Sequence, residues 1–375
     1  MKKIIGLVTS ILMLSTILVA QERQEVLSIT QEMHEESWYL NQQKLWGGDV
    51  KEDKKNAEAW YNYYSATRAL KNISKDKSTR VAYRKQCTSI AENAYAAVPN
   101  SFEGNHLMWW DASNDETKRA YLLKAAEIAP NDTRAYDDLM IYYELLRDKV
   151  NFDIMCKKIY ENQELPASLL NWGYNVLSEL EPNAIVFVHG DNDTYALWLA
   201  QSVKGFRSDV TVVNTSLMRM DEYRGRMLME LNYPKFNGEF DELFEFIIEN
   251  RKDRAIHVSS SAIRGFKETP MIDSLYLVGL SYLYSDQQFD NVSIIRRNYE
   301  KRYLIDYLTE QFSVHPSDGI AGIFDALYVP SMIKLYKHYR DSEETSKMEK
   351  IEALLLNISK KTGQEDTVKQ LIKGC

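Results

Sequence analysis

Ala184-Ile-Val-Phe-Val-His-Gly-Asp-Asn-Asp-Thr-Tyr-Ala-Leu-Trp198 and, after a helix-length gap, Asp209-Val-Thr-Val-Val-Asn-Thr-Ser-Leu217 decide the fold of this chain. The apolar run Ala184 to Val188 stops at a glycine followed by two carboxylates and an amide. A helical pattern then begins, and a second apolar run, Val210 to Val213, ends in Asn214, Thr215 and Ser216. Two short buried strands separated by a helix read as a right-handed βαβ unit in a parallel sheet. Ligands of such sheets sit outside the carboxyl ends of the strands, where Asp191, Asn192, Asp193, Thr194 and Asn214 are expected to gather.

Downstream the pattern continues with helices at Leu217 to Leu231 and Phe240 to Asn250, and a third strand at Arg254 to Val258 that ends in Ser259, Ser260 and Ser261. Leu275 to Tyr284 alternates as an edge strand would. From Asn291 onward the pattern is helical again, with candidate helices at Tyr299 to Phe312, Ile320 to Tyr339 (interrupted at Pro330) and Ser346 to Ile358.

Upstream, from Glu22 to Leu180, apolar residues recur at helical spacing. Pro99-Asn100 and Pro130-Asn131 each close an Ala-rich helix. A 34-residue offset aligns Phe102 with Tyr136, Trp109 with Tyr143, Leu122 with Cys156 and Ala125 with Ile159. This resembles the tetratricopeptide repeat, in which large residues of one helix pack on small ones of the next. Lys118 and Glu164 depart from that pattern, where it asks for a small residue and a proline. Two degenerate repeats and an irregular first pair around Trp60 to Ala97 are expected. Adjacent Trp109 and Trp110 cannot both be buried by one helix face, so the pair is a candidate partner-binding feature of a concave surface.

The first twenty residues read as an export signal: Lys2 and Lys3, an apolar stretch from Ile4 to Val19, and Ala20 before a cut at Gln21. Leu18 is large for a cleavage site, which leaves a retained anchor open. The expected divisions are a signal at 1–20, a helical region at 21–180, an α/β domain at 181–290 and a helical segment at 291–375. The expected location is the periplasm or cell envelope, with membrane association only through partners or an uncleaved signal. Without Lys2 and Lys3 the formal net charge moves from −8 to −10, which removes any general attraction to nucleic acid or anionic lipid. Cys87, Cys156 and Cys375 have no metal-like spacing. Cys87 and Cys156 read either as a disulfide in an oxidising compartment or as two buried helix thiols.

Residues Gly190 to Thr194, Leu197-Trp198, the Gly205 to Val210 turn and Val212 to Leu217 are similar to the soluble C-terminal domain of bacterial protein O-mannosyltransferase-like membrane proteins. Arg254 to Val258 and Leu275 to Leu283 resemble that domain's later strands, so the resemblance covers roughly Pro182 to Ser285. It implies an α/β domain and an envelope location. It implies no transferase activity, because the family's glycosyl transfer belongs to a multi-helix membrane portion, in whose place this sequence has a signal and a helical region.

The Asp191-to-Thr194 loop has two readings. Structurally, Asp193 or Thr194 caps a helix beginning near Tyr195 and Asp191 ties the loop to neighbouring amides. Functionally, the loop with Asn214 and Ser259 accepts the hydroxyls of a glycan or holds a divalent cation. Bare phosphate is disfavoured by the two carboxylates, and the Gly-x-Gly-x-x-Gly spacing is missing. His189 and His257 at neighbouring strand ends are weak metal candidates. Ser259 to Ser261 with His189 and an aspartate lacks the nucleophile elbow of a hydrolase. No catalytic residue and no cofactor is expected. The lead reading is an exported, non-catalytic scaffold or adaptor of an envelope complex; the alternative is an enzyme or enzyme accessory of envelope glycan metabolism, with its site at this loop.

Overall fold

The computed structural model describes residues 22–112, 115–310 and 314–374; the export-signal expectation at 1–20 lies outside them. The chain is mostly helical with a small mixed sheet. An extended N-terminal segment precedes α1 (Glu36–Glu52). Three antiparallel pairs follow: α2 (Ala57–Ile73) with α3 (Lys77–Ala97), α4 (Phe102–Ala112) with α5 (Arg119–Ile128), and α6 (Tyr136–Leu146) with α7 (Lys149–Glu161). Their starts follow local chemistry. Asn56, Asp76 and Asp148 each accept a backbone N–H of the first turn, a cap worth about 1 kcal/mol. Pro130 and Pro166 stand where helices must stop or start. Of the eight residues aligned at 34-residue spacing, Phe102, Tyr136, Trp109, Leu122, Cys156, Ala125 and Ile159 are buried, and Tyr143 is half-buried. Cys87 and Cys156 are both buried free thiols.

Next comes α8 (Ala167–Glu179), then β1 (Ile185–Val188), α9 (Asn192–Lys204), β2 (Thr211–Asn214), α10 (Asp221–Glu230), α11 (Leu243–Glu249) and β3 (Ile256–Ser259). β1 pairs in parallel with β2 on one side and β3 on the other. Every residue of β1 is buried, as a central parallel strand covered on both faces must be. Leu275 to Tyr284 does not form one edge strand. It folds back as β4 (Leu275–Leu277) and β5 (Ser281–Tyr284), antiparallel to each other, giving the order β2-β1-β3-β5-β4. Gly279 makes the reversal possible, since any side chain there would collide with the Glu179 carboxyl and the Tyr303 hydroxyl beneath it.

The C-terminal segment holds α12 (Asn291–Lys301), α13 (Asp318–Asp325), α14 (Val329–Asp341), α15 (Thr345–Thr362) and α16 (Glu365–Lys373). The expected helix from Tyr299 to Phe312 is instead the end of α12 followed by one short turn at Asp306–Leu308. Asp290 sets the earlier start by accepting the amides of Val292 and Ser293. The expected break at Pro330 falls in the first turn of α14, where the missing N–H costs nothing. Among the described residues no helix is long and apolar enough to cross a membrane.

One hydrophobic cluster runs without interruption from the helical pairs through the sheet into the C-terminal helices. The helix α8 is the junction. Trp172 packs edge-on against Phe324 at 4.9 Å. The Asn175 amide spans to the backbone N–H and carbonyl of Leu304 and to the Tyr328 hydroxyl. On its other side α8 lies so close to α9 that a Cβ on Gly173 would sit 2.7 Å from Ala196 Cβ and 2.8 Å from its carbonyl carbon. Gly173→Ala therefore forces two helices apart, at an overpacking cost of about 1–3 kcal/mol that exceeds the roughly 1 kcal/mol gained in helix propensity. Denaturant unfolding is expected to show a lower midpoint for Gly173→Ala than for wild type; a higher midpoint would show that the two helices are free to separate.

Candidate functional site

Sheet order places the topological switch point beside β1, where the chain leaves for β2 on one side and β3 on the other. The loops after β1 and β3 meet there. Gly190 takes φ +91°, a conformation that other residues rarely adopt, and turns the chain so that α9 starts at Asn192, three residues earlier than the pattern suggests. Asp191, at the cap position, makes no side-chain cap bond. Asp193 performs the tying that the sequence assigns to Asp191. Its Oδ2 accepts the His189 N–H at 3.0 Å and the Ser261 hydroxyl at 2.5 Å, fastening the β1 loop to the β3 loop.

The other strand-end residues are bound in the same local web. Thr194 donates to the Gly190 carbonyl at 2.7 Å. The Asn214 amide donates to that carbonyl and to the Thr194 hydroxyl, and its oxygen accepts the amides of Ser216 and Leu217. Ser259 is fully buried against Ser261 at 3.0 Å. Asp193, Thr194, Asn214 and Ser259 are thus brought together, but as the internal bracing of two loops.

The two histidines are not brought together. His257 is buried between the Ser281 hydroxyl at 2.8 Å and the Glu181 carboxylate at 2.5 Å. Glu181 lies before β1, so His257 faces the opposite end of the sheet from the strand-end loops. His189 is exposed and shares a hydrogen bond with Thr215 at 2.9 Å. Among the described residues no cluster of three or more His, Cys, Asp or Glu is arranged to hold a metal ion. The tryptophan pair also divides. Trp109 is 2 % exposed and belongs to the core, so it cannot meet a partner, whereas Trp110 is half-buried and reachable.

The reachable groups open on a different space. A cavity of about 270 Å³ lies between the helical pairs, the start of α9, α13 and the extended segment Glu25 to Gln31. Trp110, Tyr61, Arg134, Tyr136 and Asp137 enter it from the helical pairs, and Asn192 and Tyr195 from α9. The extended segment is pinned across it at both ends. Val26 N–H donates to Asn62 at 2.7 Å, and the Asn192 side chain donates to the Thr30 carbonyl at 2.8 Å. Tyr61 stacks on Trp110 at 5.3 Å and bonds His106, which in turn bonds Asp138 at 2.9 Å. None of these wall residues except Trp110 and Asn192 has a sequence signal that separates it from ordinary helix packing.

Carboxylates crowd this region. Burial, then the Asp138 and Asp191 charges, hold the Asp137 carboxyl well above its usual range. Asp191 is solvent-reached yet recessed, and desolvation followed by the Asp138 charge raises it too. Asp193 is pushed up to about 6 by burial, against the opposing hydrogen bonds from Ser261 and the His189 amide.

Residues 169–234 match the family model of the TMEM260-associated domain 2, a family linked to O-mannosyltransferase-like proteins. The match takes in α8, β1, α9, β2 and α10. It starts earlier than the resemblance read from the sequence and stops before β3, so the strands after Arg254 lie outside it. No curated protein and no solved structure matches the chain.

The raised Asp193 carboxyl has a pH consequence of definite sign. A carboxyl held above its unfolded value adds stability that is fully present below about pH 4 and is lost as pH rises through about 6. Wild type is expected to gain stability on Asp193→Asn as pH falls from about 8 to about 4, by at most about 3 kcal/mol. Thermal unfolding of the two proteins side by side measures this. A pH-independent difference would show that the hydrogen bonds to Asp193 cancel the effect of its burial and that its carboxyl is not raised in the folded protein.

Proposed function

We propose that this chain is an exported, non-catalytic adaptor of the bacterial cell envelope, whose helical pairs are degenerate tetratricopeptide-like units holding a protein partner. One observation carries the reading. The polar residues of the strand ends, which an enzyme would aim at a substrate, are bonded to their own loops. The reachable groups, Trp110 foremost, instead ring a cavity to which the helical pairs and the α/β domain both contribute. A catalytic site needs convergent groups left free for the reacting atoms. A binding surface needs only a shaped, partly apolar recess. The envelope location rests on the signal-like first twenty residues, and membrane contact then comes through a partner or an uncleaved signal.

The match at 169–234 favours a second reading, an accessory of envelope glycan metabolism. The two readings agree on a binding role and differ in what is bound.

Crosslinking pull-down of the full chain from cell envelopes, wild type beside Trp110→Ala, separates them. The adaptor reading expects defined protein partners on wild type and their loss from Trp110→Ala, with helicity unchanged by circular dichroism. Partners retained in full by Trp110→Ala would move the binding surface elsewhere, and no partner at all would sink the adaptor reading.

A further inference from the structure

Two tyrosines of the cavity wall have hydroxyls without work to do. Tyr136 on α6 and Tyr195 on α9 are 4 % and 5 % exposed, and both line the cavity. Neither hydroxyl makes a hydrogen bond to any described residue. Buried phenols nearly always find a partner, because an unmade hydrogen bond costs about 1–3 kcal/mol. Tyr61, Tyr223 and Tyr299 follow the rule, bonding His106, Glu144 and Ser331, while Tyr233 is a buried phenol without a partner elsewhere in the core. The Tyr136 and Tyr195 rings are buried but their hydroxyls are not sealed off; both open on one cavity from two different parts of the fold, so their hydrogen bonds fall to whatever fills it.

The rest of the wall selects the chemistry of that partner. Glu25, Asp137 and Glu164 line the cavity together with the cation Arg134, and Arg68 and Lys158 lie behind its aromatic wall. The Arg134 guanidinium already bonds Asp132 and Glu103. With the lining guanidinium already paired to two carboxylates and three further carboxyls on the wall, phosphates and acidic sugars are disfavoured. An organic cation would be drawn by the carboxylates but would find few open ring faces to seat it. Those faces already carry cations: Arg68 lies over Trp110 at 4.4 Å, Arg134 over Tyr61 at 4.5 Å and Lys158 over Tyr136 at 4.8 Å. What remains is a neutral molecule rich in hydroxyls, able to donate to Asp137 and to the Asn192 oxygen and to exchange bonds with the two phenols. The volume of about 270 Å³ is at the small end of ligand pockets and suits one sugar ring rather than a chain.

We propose that the cavity roofed by Glu25 to Gln31 is a binding site for a neutral polyhydroxylated ligand of the size of a single sugar ring, read by Tyr136, Tyr195, Asp137 and Asn192. The site adjoins the strand-end loop and takes only Asn192 from it, and it deepens the binding-protein reading by naming what one recess takes.

Isothermal titration of the full chain with glucose, galactose and mannose, and in parallel with butylammonium and inorganic phosphate, tests it. At least one hexose is expected to bind saturably, and the two charged probes are expected not to. Tyr136→Phe and Tyr195→Phe remove only the hydroxyls, so folding stays at the wild-type midpoint while each weakens hexose binding by about threefold to tenfold. Absence of saturable hexose binding overturns the proposal, as does preferred binding of butylammonium or phosphate, or hexose binding unchanged in Tyr136→Phe/Tyr195→Phe. A protein that fails here but still loses its partners in Trp110→Ala keeps the adaptor role without this ligand.

Discussion

The contact between α8 and α9 is the tightest constraint at the centre of this fold. The Gly173 backbone lies against Ala196 with no room for a methyl group, and that closeness fixes α9 over the sheet. From the same helix Trp172 and Asn175 reach the C-terminal segment, and Arg302 returns bonds to the carbonyls of Ser178 and Glu179. Arg207, in the turn after α9, closes the end of α8 by bonding the carbonyls of Leu177, Leu180 and Glu181. The unit from α8 to α10 is also the part that a family model matches. Its recurrence has a physical rationale, because a helix–strand–helix unit with one glycine contact is a self-consistent piece of packing.

The helical pairs are docked onto that unit by α9 and α10 together. Tyr223 donates to Glu144, Arg147 bonds Glu230, Arg226 bonds the Leu146 carbonyl and Arg119 bonds Glu222. Burial pushes the Glu144 carboxyl up to about 7, against the pull of Arg147. Phe152 on α7 meets Trp198 on α9 edge-on at 5.4 Å. Docking is thus partly ionic and partly aromatic, and it sets the width of the cavity between the two layers.

Much of the architecture was legible because periodicity reports burial. The run Ala184 to Val188 is a central strand, the helical stretch after it is α9, and Val210 to Val213 leads into β2, as their apolar spacing requires. The errors fell where local pattern and long-range contact diverge. Leu275 to Tyr284 alternates enough to be one edge strand, yet it reverses at Gly279, where the buried Glu179 carboxyl and Tyr303 hydroxyl leave no room for a side chain and accept the Leu280 N–H. Likewise the polar run after β1 could be placed but not interpreted. A carboxylate at a strand end looks the same in sequence whether it greets a ligand or, like Asp193, braces Ser261 from a loop sixty-odd residues away.

The division of labour along α9 explains why the reachable site was missed. Residues two apart on a helix point in nearly opposite directions. Asp193 therefore turns back into the strand-end loops while Tyr195 turns toward the helical pairs, and Asn192 between them grips the Thr30 carbonyl. The motif that draws the eye, Gly-Asp-Asn-Asp-Thr, is mostly consumed in starting the helix and joining two loops. The residue just beyond it reads as one more buried aromatic among twenty-four tyrosines. Only the three-dimensional account of hydrogen bonds distinguishes Tyr195, because a hydroxyl left without a partner is a property of its surroundings and not of its type. The cavity it faces exists only when the helical pairs, the extended segment and α9 are all in place, so binding there would also be a measure of their docking.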